Sequence, residues 1–377
     1  MTSLISMEGL SGPGRQLAAF ALQALDHGVR VRVAILHRTG NPTPAFARAL
    51  QDLGIECITL RDDGPLDFAI PGRVRSALHD WNCDVLESHG YKATAAAYFL
   101  KRTGLDIPWI GFFHGETHED LKAHFYHALD RRFLRSADRA VVMSERQRVS
   151  IGTFAPNILV LYNAITGIER RARGGDADRV VNLCHALPRP RIAVIGRLSP
   201  EKGVDVFIDA CVRLVQRGFE FGAVIAGDGP DRRALEQWVT DNNLDDRVVL
   251  AGHVDDVAAL YENIDLLVLP SRSEGLPNVL LEAIAWGIPV VATDVGAVAD
   301  VLDDPAAGLI VASEDPPALA DAIETAATAS YANAGLPSRQ RIAERFSLDG
   351  RTRRLVAIIH DVVARRPPRL QRGPATE

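Results

Sequence analysis

Short runs of β-branched and aliphatic residues alternate along the whole chain with longer segments of helical periodicity. In the first half, the runs Val29–Leu36, Asp84–Glu87, Trp109–Phe113 and Arg139–Met143 predict strands. Between them, Arg15–His27, Lys92–Thr103 and Glu119–Ser136 carry apolar residues at helical spacing. The second half repeats the theme, with strands at Arg191–Ile195, Phe221–Ala226, Arg247–Leu250, Asp265–Leu269 and Pro289–Ala292. Its helices are Val204–Arg217, Asp231–Asp241 and Pro277–Ala285. Strands that are apolar throughout, rather than alternating, are buried on both faces, and a helix between consecutive strands makes them parallel. The pattern predicts an α/β fold of two Rossmann-like, doubly wound parallel-sheet domains.

Residues 163–190 interrupt the pattern. The stretch ITGIERRARGGDADR is polar and rich in Gly and Arg, and ALPRPR closes the segment, so it reads as a linker or an exposed excursion. The boundary is expected near residue 185, giving domains 1–185 and 186–346. In the remainder, 347–377, Leu348–Val363 places Leu355, Ile358, Ile359 and Val362 on one helical face, suited to crossing back onto the first domain. Ligands of such sheets bind beyond the carboxyl ends of the strands, so two facing sheets put the site in the cleft between them.

Composition narrows the class. The 377 residues suit two or three domains, and 47% apolar with 24% charged residues is ordinary for a globular chain. No 18-residue stretch is free of both charge and Gly, Pro or Asn punctuation, and no basic-then-apolar leader opens the chain, so neither a membrane span nor a signal peptide is expected, and the location reads as cytoplasmic. A net charge of −6 argues against a nucleic-acid partner bound by global positive charge. From Arg339 onward, however, ten arginines face four acidic residues. That basic tail is either a solvated helix end or a peripheral contact with the anionic inner membrane face. A second basic and apolar cluster, Arg131-Arg132-Phe133-Leu134-Arg135, carries the same two readings. Cys57, Cys83, Cys184 and Cys211 form no metal or redox spacing.

The chemistry gathers in the second half, where four features each follow a strand and precede a helix. They are Gly196-Arg197-Leu198-Ser199-Pro200-Glu201-Lys202-Gly203, Gly227-Asp228-Gly229-Pro230, Glu274-Gly275-Leu276-Pro277-Asn278 running on to Glu282, and Asp294-Val295-Gly296. These parts suit a sugar nucleotide. A departing diphosphate needs fixed positive charge, which the planar fork of Arg197 and the point charge of Lys202 can supply. Amides of Leu276 and Asn278 at a helix start can donate to phosphate or hexose hydroxyls. Glu274 in its loop can accept from a hexose, and Glu282, deeper in the helix, from a ribose.

The run from Arg191 to Ala312 resembles the donor domain of a retaining glycosyltransferase of family 4, of the GT-B fold. Glu274 and Glu282, with seven residues between, resemble that family's E-x7-E motif. GRLSPEKG and LPSRSEGLPNVLLEAIAWGIPVVATDVGA resemble its donor-binding segments. The resemblance implies hexosyl transfer from a UDP- or GDP-sugar to a saccharide or lipid-linked acceptor, without a metal or other cofactor, in polysaccharide or glycolipid synthesis. It implies that Arg197 and Lys202 stabilise the leaving diphosphate, that Glu274 contacts the sugar and that Glu282 contacts the ribose, with Gly196, Gly227 and Gly275 in the binding loops. In the first half, Gly12-Pro13-Gly14 resembles the family's glycine loop, although Pro13 interrupts the usual Gly pair and removes one amide. Glu87-Ser88-His89-Gly90-Tyr91-Lys92 and Phe113-His114-Gly115-Glu116 resemble its cleft-facing loops, which implies that His114 lies near the reacting sugar. Ser144-Glu145 and Tyr162-Asn163-Ala164 resemble further segments of structural role.

Other readings compete for these residues. His114 and His118, with His124 and His127 beyond, lack the His-Glu-x-x-His arrangement of a zinc site. The acid pairs Asp62-Asp63, Asp245-Asp246, Asp255-Asp256 and Asp303-Asp304 lack an Asp-x-Asp spacing and read as turns and helix caps. A nucleotide-sugar epimerase or hydrolase, or a non-catalytic sugar-nucleotide-binding subunit, remains open beside transfer.

Overall fold

The apolar runs become the inner strands of two parallel sheets. The computed structural model describes residues 1–6, 12–41, 43–64, 67–114, 121–151, 157–166 and 175–365, without the side chains of 121–125 and 127. The first sheet comprises β1 (Thr2–Ser6), β2 (Arg32–Arg38), β3 (Cys57–Asp62), β4 (Leu86–His89), β5 (Trp109–Phe113), β6 (Arg139–Val142) and β7 (Ile158–Val160). Their order is β3-β2-β1-β4-β5-β6-β7. The second comprises β8 (Arg191–Ile195), β9 (Gly222–Ala226), β10 (Val248–Gly252), β11 (Leu266–Leu269), β12 (Val290–Thr293) and β13 (Gly308–Val311), in the order β10-β9-β8-β11-β12-β13. Every pairing is parallel. Val33 and Ile35 pack toward one face of the first sheet, and Ala34 and Leu36 toward the other, so helices cover both. Together the sheets form the GT-B architecture expected from the sequence.

Strand order reverses between β1 and β4 in the first sheet and between β8 and β11 in the second. Such a reversal splays the two outgoing loops apart and opens a crevice at the strand ends. All the candidate loops leave from these four strands or their neighbours.

Some elements differ from expectation. Strand β2 starts at Arg32, later than Val29, because Gly28 turns left-handed (φ 74°) and Val29 donates back to the Ala24 carbonyl at 2.9 Å, closing the preceding helix. Strand β4 runs two residues past Glu87 to His89. The segment read as a linker holds a helix, Asp176–Ala186, whose buried Ala177, Val180 and Cys184 repeat at helical spacing. It lies with the second sheet: Arg179 donates to the Ala251 carbonyl at 2.7 Å and to the His253 carbonyl at 3.0 Å. Residues 167–174 of that segment lie outside the described residues, as does the tail from 366.

The last helix, Leu348–Ala364, buries Leu355, Val356, Ile359 and Val362. It packs on Gly12–Ala24 of the first half: Thr352 Oγ1 donates to Gln23 Oε1 at 2.7 Å. Arg139 and Asp361 pair beside it. No helix among the described residues is long and apolar enough to cross a membrane.

Candidate active site

Two glycines fix the loop after β8. A Cβ on Gly227 (φ 143°) would fall 1.8 Å from the Gly196 carbonyl oxygen, so the ends of β8 and β9 approach as only glycine allows. Gly203 (φ 61°) would likewise drive a Cβ to 2.1 Å from the Pro270 carbonyl, at the end of β11. The loop between is tied to its neighbour by Leu198 N–H donating to the Asp228 carbonyl at 2.9 Å. Arg197 is held exposed on this loop, while the Lys202 stem passes over Gly196, 3.7 Å from where its Cβ would stand.

Lys202 does not stand alone. Its Nζ donates to Glu274 Oε1 at 2.7 Å, and Ser271 Oγ donates to the same oxygen at 2.8 Å. The β8 and β11 loops thus meet through a half-buried ion pair. Glu282 lies one turn into the helix Asn278–Ala285 and is only 2% exposed. Tyr261 O–H donates to its Oε2 at 2.9 Å. Burial, then the Glu282 charge, holds the Tyr261 hydroxyl well above its usual range, so it stays a donor. The other carboxylate oxygen, Oε1, has no hydrogen-bond partner among the described residues, and Arg15 Nη1 stands 3.6 Å away. A buried acceptor left this way is costly unless a ligand donor completes it.

The first half closes on these loops. Gly12 opens its helix so close to the Asn278 side chain that a Cβ would come within 2.8 Å of Nδ2, and Gly14 is buried in the same turn. Asn163 Nδ2 donates to the buried Leu276 carbonyl at 3.1 Å and to Asn278 Oδ1 at 3.0 Å. A Cβ on Gly275 would meet the His114 carbonyl oxygen at 2.5 Å and Gln147 Nε2 at 3.2 Å. His114 therefore abuts the start of the Glu274–Glu282 segment. Its own Nε2 lies 2.8 Å from His89 Nδ1. Burial, with the charges of His89 and Arg351, holds the His114 imidazole well below the usual histidine range.

Arg197, Lys202, Glu274, Gly196, Gly227, Gly275, Leu276 and His114 lie on strand-end loops, and Gly12, Gly14, Asn278 and Glu282 in the first turns of the helices that face them. Gly115, Glu116 and His118, and the side chains of His124 and His127, lie outside the described residues. Among the described residues, no three of His, Cys, Asp and Glu come together as metal ligands would. Asp256 caps the helix Val257–Tyr261, and Asp304 accepts from Ala306 N–H at 3.0 Å, as expected of turn and cap acids. Arg135 donates twice to the Ile151 carbonyl, at 3.1 and 2.9 Å, and Phe133 stacks on Tyr98 at 4.5 Å. Sequence reasoning missed Tyr261, Ser271 and Arg15. Arg15 directly follows the glycine loop and was within reach of that reading, whereas nothing in spacing links Tyr261 to Glu282, 21 residues on.

Two facing doubly wound sheets with a cleft lined in this way define the GT-B class. Residues 189–328 match the family model "Glycosyl transferases group 1", and residues 11–164 match "Glycosyl transferase 4-like domain". The chain belongs to this family, the family-4 type of GT-B glycosyltransferase. It is 38% identical over 138 residues to alpha-D-kanosaminyltransferase of Streptomyces kanamyceticus, covering 36% of each chain. It is 36% identical over 138 residues to the lipopolysaccharide core biosynthesis mannosyltransferase LpsB of Rhizobium meliloti, covering 35% of this chain and 39% of that one. The matched stretches thus span little more than a third of those relatives' length. The same fold appears in the Anabaena Alr3699/HepE structure in complex with UDP-glucose, with a TM-score of 0.78, 20% identity, and 96% of this chain and 100% of that chain covered.

Proposed function

We propose that this protein is a retaining, metal-independent hexosyltransferase. It would move a sugar from a nucleotide-diphosphate donor to a saccharide or lipid-linked saccharide in polysaccharide or glycolipid synthesis. The observation that carries the reading is the meeting of the β8 and β11 loops, where Lys202 Nζ and Glu274 Oε1 lie 2.7 Å apart with Arg197 on the same loop. As the anomeric bond breaks, charge grows on the diphosphate, and only groups aimed at that growing charge lower the barrier. Arg197 and Lys202 fill this role. Glu274 is tied to Lys202 and Ser271, which blunts it as a nucleophile and fits it to orient sugar hydroxyls. We therefore favour attack by the acceptor on the face the diphosphate leaves, with the leaving phosphate taking the acceptor proton. The unsatisfied Glu282 Oε1 suits a ribose hydroxyl.

The relatives named above carry sugar-transferase names, and the Anabaena structure contains UDP-glucose, which makes UDP-hexoses the first donors to test, before GDP-hexoses. We draw the boundary between the acceptor and donor halves ahead of Asp176, since that helix packs with the second sheet.

The test is nucleotide release from a panel of UDP- and GDP-hexoses, with and without saccharide and lipid-linked acceptors, with product configuration read by NMR. We expect an acceptor-dependent product of the donor's own anomeric configuration, at a rate unchanged by chelator. Arg197→Ala, Lys202→Ala and Glu274→Ala should each slow transfer by about 10²–10³. Turnover that ignores acceptor would indicate an epimerase or hydrolase instead, and unimpaired transfer in both Arg197→Ala and Glu274→Ala would remove this site assignment.

A further inference from the structure

The meeting of Lys202 and Glu274 depends on the separation of the loops after β8 and β11. A lysine stem is long and flexible, so the 2.7 Å contact is no better defined than the two loops that carry it. One residue grips the Lys202 loop on both sides. Arg272, in the loop after β11, donates its backbone N–H to the Glu201 carbonyl at 2.8 Å, and Ser273 N–H donates to the same oxygen at 3.3 Å. The Arg272 side chain reaches back to the Pro200 carbonyl, which accepts from Nη1 at 2.7 Å. Beyond Lys202, Asp205 in the first turn of the helix Val204–Gln216 takes the guanidinium as a fork. Nη1 donates to its Oδ1 at 2.8 Å and Nη2 to its Oδ2 at 2.7 Å.

The remaining side of the guanidinium belongs to Glu314, which follows β13. Nε donates to Glu314 Oε1, and Nη2 donates to Oε2 at 3.2 Å. All five N–H donors of Arg272 are thereby used. Glu314 has a left-handed backbone, with φ of 61°. A residue with a side chain holds that conformation only where its surroundings fix it. The loop that bears Arg272 is anchored in turn: the Ser271 carbonyl accepts from Thr293 Oγ1 at 2.5 Å and from Ser313 Oγ at 3.4 Å. Isolated exposed ion pairs contribute little, but a bidentate fork inside a network of charges is the exception.

We propose that Arg272 is a positioning residue: with Asp205 and Glu314 it forms a clamp that brackets Lys202 and sets where its ammonium stands against Glu274. With every donor taken by the protein, Arg272 acts through Lys202 and does not touch substrate. The clamp needs the planar fork as well as the charge. A lysine carries its three donors on one nitrogen and cannot span Pro200, Asp205 and Glu314 together. The consequence for chemistry rests on the transferase reading: the charge that meets the leaving diphosphate is aimed from behind, by residues of three strand-end loops.

The experiment uses the full chain labelled with ¹³C,¹⁵N-lysine. The chain has four lysines, Lys92, Lys101, Lys122 and Lys202, so side-chain signals are few, and Lys202→Arg identifies that of Lys202. Glu274→Gln marks where this signal goes when the pair is lost. Arg272→Met and Arg272→Lys should both move the Lys202 signal toward that position and leave Lys101 in place. Glu314→Ala, an exposed change that the fold tolerates, should move it less and in the same direction. Arg217→Met breaks a surface pairing with Asp321 and Glu324 on the same half and should not move it. In transfer assays a misplaced group costs up to about 10²-fold, so Arg272→Lys should lower kcat by about 10- to 100-fold, with donor KM changed far less. In a Lys202→Met background the same substitution should add little, because residues acting as one unit are not additive. A Lys202 signal unmoved in both Arg272 variants, moved as far by Arg217→Met, or restored to its wild-type position by Arg272→Lys would overturn the proposal, as would additive losses of kcat. The lysine signals decide this even if no transfer is found, which would count against the transferase reading alone.

Discussion

At the residue scale, the site depends on atoms that are missing as much as on those present. Gly227 and Gly218 both have left-handed or related backbone, with φ of 143° and 73°. A Cβ at Gly218 meets nothing within 4 Å, whereas at Gly227 it would strike the Gly196 carbonyl at 1.8 Å. Gly218→Ala should therefore cost only the conformational penalty, about 1–2 kcal/mol. Gly227→Ala must also push β8 and β9 apart beneath Arg197, and should cost at least about 3 kcal/mol in denaturant unfolding. It should also weaken nucleotide binding, which Gly218→Ala should spare. Both residues are plain in the sequence as glycines after or between elements, yet only the structure separates the one that turns the chain from the one that lets two strands touch. The Tyr261 hydroxyl on Glu282 is invisible in the sequence for a related reason: a contact between two helices leaves no periodic trace in either one.

At the scale of elements, the buried face of Leu121–Leu134 carries one acid. Asp130 is 4% exposed where this helix packs on Tyr91–Arg102. Burial raises its carboxyl to about 7, and the neighbouring Thr94 hydroxyl draws it only partly back. In the unfolded chain the group titrates near ~3.9. Between these values the folded state binds the extra proton, so stability falls as pH rises from about 4 to 7 and the cost is complete above 7. Asp130→Asn should match wild type near pH 4 and exceed it in alkaline buffer. The gap in unfolding free energy should widen by about 2–3 kcal/mol between pH 5 and pH 8. A constant gap would mean that the acid ionises freely in the fold. The elements themselves were unevenly legible. Most inner strands are apolar on both faces and stand out, β1 and β4 being the exceptions with buried Thr2, Ser3, Glu87, Ser88 and His89, whereas β3, β7 and β13 are edge strands and did not. In β3 the burial alternates with exposure, and β7 spans only Ile158–Val160. Asp176–Ala186 was hidden because its flanks are rich in Gly and Arg and only three of its residues are buried.

At the scale of the whole molecule, contacts between the two halves differ in strength from the back of the molecule to the rim of the cleft. At the back, Ile165 N–H donates to the Phe346 carbonyl at 2.9 Å and the last helix packs on the first, so the connection is backbone and core. In the cleft, Asn163 holds the Leu276 carbonyl and Asn278 Oδ1 from a nearly buried position. At the rim, Arg146 pairs with Asp294 at 2.7 Å, with side chains 52% and 47% exposed. Domain closure excludes water and assembles such sites, so the equilibrium between open and closed forms should answer to the cleft contact more than to the rim. An exposed pair contributes about 0–1 kcal/mol and is screened by salt. A buried carbonyl that loses its donor costs about 1–3 kcal/mol. Asn163→Ala should therefore open the protein, seen as a larger radius of gyration in X-ray scattering without ligand, and should raise donor KM about 5- to 150-fold by that same energy. Arg146→Ala should change scattering only at low ionic strength and match wild type at about 0.15 M salt, where the Debye length is roughly 8 Å. If Arg146→Ala opened the molecule at physiological salt while Asn163→Ala did not, the closed arrangement would be held by charge at the rim, and the cleft contact would be a consequence of closure.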